Sequence, residues 1–205
     1  MMKPNAKRGT ARPSAANHAF LGLVAGVLLF GIGCFLWLSA SSDRPSIGGP
    51  FTLESGAGKI VTADDFRGKY LLVYFGYTFC PDMRSTALSA MTTALQTLGS
   101  TTKDLTPVFI TLDPERDTPQ VMRRYTAAFS PKLIGLTGTP DEIAKVAKEY
   151  RVHYAKHATG PGPDDYSMDH SSIIYLMGPD GRFIAPISPG QSPAELAADI
   201  HRLIS

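Results

Sequence analysis

Cysteine is nearly absent from this chain of 205 residues: there are two, Cys34 and Cys80. Two cysteines are too few for a disulfide framework. Tryptophan occurs once, as Trp37. A large excess of either charge is also missing, with 20 basic residues against 18 acidic ones. A net charge of +2 argues against a nucleic-acid binder that works through bulk electrostatics. No repeat of solenoid length occurs. With 43% hydrophobic and 19% charged residues, the composition is not that of a disordered chain. The length suits one domain with accessories.

Acidic residues are missing from positions 1–19, which carry Lys3, Lys7, Arg8 and Arg12. From Phe20 to Leu38 the chain runs FLGLVAGVLLFGIGCFLWL without a charge. A run of ~20 apolar residues spans a bilayer as a helix. Trp37 lies near its far end, where aromatic anchors are common. The basic flank is expected in the cytoplasm and the remainder outside it. This predicts a single-pass anchor in the cytoplasmic membrane with the C-terminal domain in the periplasm; the sequence alone also permits a mitochondrial intermembrane space. A cleaved signal peptide normally has a shorter apolar stretch and an A-x-A-like site. A lipid-modified Cys34 is the other rival. Gly31 rather than Leu stands three residues before it, and apolar residues continue past it. Cys34 is therefore read as a packing residue and is not expected to pair with Cys80. The expected organisation is a basic N-terminus (1–19), an anchor (20–40), a linker (41–50) and a globular domain (51–205).

Within that domain, 51–54 and 59–62 flank a Gly-rich turn, which predicts a hairpin. Tyr70 to Phe75, YLLVYF, reads as a buried central strand. Ala87, Leu88, Met91, Leu95 and Leu98 recur at helical spacing, with Pro81 suited to the first helical position. Strands are expected at 107–112 and 133–136, and helices at 119–129 and 140–151. Thr139-Pro-Asp-Glu142 and Ser192-Pro-Ala-Glu195 read as capping boxes. Residues 155–169 are rich in Gly, Pro and Asp and read as a long loop. A hairpin over 172–187 and a last helix to about Leu203 complete the order. The order ββ, βα, βα, βα, ββα predicts an α/β, thioredoxin-like fold with an added N-terminal hairpin.

Cys80 then falls between a strand end and a helix start, where free N–H groups and the helix dipole stabilise a thiolate. A thiolate is a nucleophile and a soft ligand for Cu(I). A buried, inert thiol is the bland alternative. His170 ends the long loop, which in this fold faces the cysteine-bearing turn. Cysteine and histidine together suit copper or zinc, although a lone histidine is more often structural or solvated. Asp169 beside it is poorly placed to orient its imidazole. Met83 and Met168 flank the pair; a thioether can ligate Cu(I), but core filler is the preferred reading. His153, His157 and His201 are read as surface residues.

Three separated segments carry a family resemblance. Tyr74-Phe-Gly-Tyr-Thr-Phe-Cys80-Pro-Asp82, Asp113-Pro-Glu-Arg-Asp-Thr-Pro119, and Tyr166-Ser-Met-Asp-His170-Ser with Gly178-Pro-Asp-Gly181 resemble the Sco/SenC family. The resemblance implies copper bound by two cysteines of a C-x-x-x-C motif and a distant histidine. It also implies a role in building the CuA centre of cytochrome c oxidase, by copper delivery or by thiol–disulfide reduction. The partner would be the oxidase subunit bearing CuA. Cys80 matches the first cysteine and His170 the histidine. At the second cysteine position this chain has Arg84. Arginine has only donors and cannot ligate copper, and an intramolecular disulfide across the motif is impossible. Arg84 also places a positive charge that favours a Cys80 thiolate. The expected function is a copper-handling assembly factor using Cys80 and His170. The alternatives are a one-cysteine thiol redox protein and a non-catalytic partner of an oxidase subunit.

Overall fold

The computed structural model describes residue 31 and residues 47–80, 86–99 and 104–205. The expected basic N-terminus and, apart from residue 31, the apolar run with Cys34 lie outside the described residues. So do most of the linker and residues 81–85, including Met83 and Arg84. Among the described residues, no helix is long and apolar enough to cross a membrane.

Nine strands and four α-helices are described in the compact unit Ser46–Ser205. They are β1 (Thr52–Ser55), β2 (Ile60–Thr62), β3 (Tyr70–Gly76), α1 (Thr86–Leu98), β4 (Leu105–Thr111), α2 (Pro119–Ala127) and β5 (Ile134–Thr137). After them come α3 (Pro140–Glu149), β6 (Tyr154–Ala158), β7 (Tyr166–His170), β8 (Ile174–Met177), β9 (Phe183–Ile187) and α4 (Pro193–Ile204). A seven-stranded sheet has the order β2-β1-β5-β4-β3-β8-β9, and β6 and β7 form a separate two-stranded sheet. Strands β3, β4 and β5 run parallel, while β1 and β8 join them antiparallel.

The run YLLVYF is apolar throughout because both faces of β3 are covered. Alternate side chains point to opposite faces, so Leu71, Val73 and Phe75 enter one core with Leu136, Ile143 and Val146. Leu72 and Tyr74 enter the other with Met91, Phe109, Met122 and Ile200. Helix starts follow their local signals. Thr139 accepts from the Glu142 N–H while the Glu142 carboxylate accepts from the Thr139 N–H at 2.7 Å. Ser192 and Glu195 repeat the arrangement, and Thr118 caps α2 ahead of Pro119. The N-terminal hairpin closes as expected, with the Ser55 N–H donating to Lys59 O at 2.8 Å and Gly58 at φ +74°. The sheet ends at one side in β2, three residues long. At the other side it ends in β9, which contains Pro186 and whose register with β8 shifts at Leu176/Met177.

The long loop expected at 155–169 is a hairpin. Strands β6 and β7 pair from Tyr154↔His170 to Ala158↔Tyr166. Only the connecting residues turn, tied by Thr159 N–H to Asp165 O at 2.7 Å and by Gly162 N–H to the Asp165 carboxylate at 2.9 Å. Glycine and proline in the turn masked the flanking strands. The alternation in β7 is genuine but short: Tyr166 and Met168 are buried, while Ser167 and Asp169 are not.

Candidate metal centre

Cys80 follows β3 in a turn whose Cys80 N–H donates to Tyr77 O at 3.4 Å. The turn leaves the carboxyl end of the parallel strands, where doubly wound sheets place their sites. Cys80 is half-buried, free, and packed against the core. His170 ends β7.

Tyr77 meets both. Its hydroxyl oxygen accepts the Met168 N–H at 3.3 Å, and Tyr77 opens the turn that ends in Cys80. Burial raises the pKa of that hydroxyl; the Met168 N–H opposes the rise, and Cys80 adds to it. The imidazole of His170 lies edge-on to the Tyr77 ring at 6.1 Å and to the Tyr74 ring at 6.5 Å. Tyr74 is raised mainly by burial, with Cys80 again contributing.

The tautomer of His170 follows from its partner. Nδ1 lies 3.1 Å from Ser171 O. A carbonyl can only accept, so the hydrogen-bond network assigns the proton to Nδ1 and leaves the Nε2 lone pair available. Metal-bound histidines are commonly held in this way, with the second ring nitrogen donating to a backbone carbonyl.

The Asp113–Pro119 segment fastens these pieces together. Asp113, 3% exposed, pairs with Arg116 Nε at 2.5 Å and accepts from the Tyr166 hydroxyl at 2.8 Å. Arg116 Nη1 donates to Tyr166 O at 3.0 Å. Its guanidinium stacks 3.6 Å from the Tyr166 ring and 5.0 Å from Phe79, the residue before Cys80. Lys156 covers the Tyr166 ring at 3.7 Å and pairs with Glu115. Burial and the bond to Asp113 hold the Tyr166 hydroxyl well above the ordinary tyrosine range. The cysteine turn and the histidine strand are thus joined through one arginine.

The remaining residues singled out in the sequence go elsewhere. Met168 is buried in the core, as its reading as filler anticipated. Asp169 pairs with His157 at 3.0 Å on the exposed side of the hairpin, not with His170. His153, His157 and His201 are exposed. Among the described residues, no three His, Cys, Asp or Glu side chains gather as a metal-binding group. Sequence reasoning missed Tyr77 and the individual roles of Asp113, Arg116 and Asp117. An arginine set among three acidic residues (Asp113, Glu115 and Asp117), with aromatics on either side of the chain, was the available signal.

The family model SCO1/SenC matches residues 39–205. The human mitochondrial SCO1 homologue is 44% identical over 163 residues, covering 77% of this chain and 52% of that protein. Copper-bound ScoI of Bradyrhizobium japonicum is 46% identical, with a TM-score of 0.71 over 78% of this chain and 100% of that one. Copper-bound yeast Sco1 is 37% identical, with a TM-score of 0.71 over 77% and 88% of the two chains. This chain spans about half the length of the human and mouse relatives, at 52% and 57%. On the family model and these identities together, the chain belongs to the SCO1/SenC family.

Proposed function

We propose that the chain is a membrane-anchored copper-handling protein that assists assembly of the CuA centre of cytochrome c oxidase. Copper is its cargo, with Cys80 and His170 as ligands. The observation that carries this reading is the imidazole of His170 set edge-on against Tyr74 and Tyr77, the strand end and turn that lead to Cys80, with Nδ1 bonded to Ser171 O and Nε2 left to ligate. Thiolate and imidazole are both copper ligands, and the solved relatives named above were obtained with copper. Two donors suit Cu(I); Cu(II) prefers more of them in a tetragonal field. Residues 20–38 form the single membrane helix in this reading, with the domain on the periplasmic side.

Competition against a Cu(I) chelator tests it. The wild type binds Cu(I) measurably but more weakly than Arg84→Cys, which adds a thiolate and removes a cation. Adding His170→Ala to Arg84→Cys lowers affinity again. If the wild type binds nothing and Arg84→Cys recovers nothing, Cys80 and His170 do not form a copper site. One observation favours a second reading, a one-cysteine thiol redox protein: Arg84 removes the resolving cysteine while Cys80 remains. A purified chain free of copper that forms mixed disulfides through Cys80 would favour it. A chain that does neither would be a non-catalytic oxidase partner.

A further inference from the structure

Asp117 is fully buried, and its charged neighbour Asp113 has the same sign. A carboxylate in such a place is costly unless donors satisfy it. Here Oδ2 accepts the Thr78 N–H at 2.9 Å and the Thr111 hydroxyl at 2.6 Å, and Oδ1 accepts the Thr78 hydroxyl. Thr111 ends β4, and its hydroxyl oxygen also accepts the Asp113 N–H at 2.9 Å. Thr78 belongs to a different segment: it is the second residue of the turn Tyr77–Cys80. One side chain therefore grips that turn by both its backbone and its side chain. It anchors the turn to the end of a central strand.

We propose that Asp117 is a positioning residue: acting through Thr78, its buried carboxylate fixes the turn that presents Cys80. Asp117 is fully buried and bonds only threonines among the hydrogen bonds described above, so it acts through Thr78. Their role in copper binding rests on Cys80 being a ligand, but the fixing of the Cys80 turn does not. The role of Asp117 is geometric. Two Thr78 bonds converge on one carboxylate, so the turn cannot slide along β4 without breaking both. Losing the hydroxyl bond alone leaves the backbone bond as a hinge.

The test uses the full chain in detergent with Cys34→Ala, so that Cys80 is the sole thiol. Two quantities are read: Cu(I) affinity by chelator competition, and the alkylation rate of Cys80 at one fixed pH. Thr78→Val removes the hydroxyl bond and keeps the shape. It lowers Cu(I) affinity by about tenfold and raises the alkylation rate several-fold, the scale of one lost bond to a charged group. Asp117→Ala exceeds both changes if it folds. Thr78→Ser, which keeps the hydroxyl, restores both. Leu136→Ala, a buried truncation in β5, supplies a control for general destabilisation. If Thr78→Val leaves both quantities within twofold of the parent, or Leu136→Ala changes them equally, the positioning role is refuted. If the parent binds no Cu(I) yet Thr78→Val still speeds alkylation, the positioning role stands and the copper reading fails. If Cu(I) binds and neither quantity responds to Thr78→Val, the copper reading stands and the positioning role fails.

Discussion

Replacing Arg116 with methionine strands the Asp113 carboxylate. Their side chains are 11% and 3% exposed, and the pair is closed at 2.5 Å. Removing one partner of a buried pair costs about 3–5 kcal/mol, because the other charge stays buried without compensation. Two smaller terms go with it: the Nη1 bonds to Asp164 O and Tyr166 O, and stacking on Tyr166 and Phe79. Methionine recovers part of the stacking through its own sulfur–aromatic contacts, so the ion-pair term dominates. In a domain of this size, that corresponds to a loss of roughly 10 °C in Tm. A companion substitution isolates the cause. Asp113→Asn added to Arg116→Met removes the stranded charge and keeps an acceptor for the Tyr166 hydroxyl. The double variant recovers most of the loss and ends about 1–2 kcal/mol below wild type. Urea titration followed by circular dichroism measures all three chains. A cost below about 1 kcal/mol for Arg116→Met, or a double variant as unstable as the single one, refutes the assignment of Arg116 as the counterion of Asp113.

Three further outcomes are expected. Gly56→Ala costs about 1–3 kcal/mol by urea titration, because a Cβ there would lie 2.8 Å from the Arg123 backbone nitrogen and 2.9 Å from its Cα, and backbone cannot rotate away. Burial raises the Asp117 carboxyl above its ordinary 3.8, against the opposing bonds from Thr111 and Thr78. Between 3.8 and the raised folded value the folded form holds a proton that the unfolded form has lost; the stability this gives is full below 3.8 and disappears as pH rises through the folded value, so wild type gains on Asp117→Asn as pH falls from neutrality toward 3.8. Finally, a reporter active only in the cytoplasm, fused after Ser205, gives no signal; a strong signal inverts the topology and removes the periplasmic reading.

Elements with a local cause were legible in the sequence. The three Pro-started helices carry hydroxyl caps in their own segments, and β3 declares its burial on both faces by continuous apolarity. Hairpin β6–β7 was not legible, because β6 buries none of its residues fully and the seven residues between the strands are dominated by turn formers. The site divides in the same way. Cys80 and His170 stood out by residue type and position. That Tyr77 meets His170, and that Arg116 and Asp117 hold the cysteine turn, depends on contacts between residues 37 to 93 positions apart. No local pattern encodes contacts at that range.

The two ends of the large sheet bear on how copies of this chain meet. An exposed strand is a template on which another chain can pair. At one end the template is only three residues long. At the other, Pro186 withholds a donor where it stands opposite Tyr175, and the slipped register at Leu176/Met177 bends the border. Among the described residues, both borders of this sheet are therefore poor templates for strand addition.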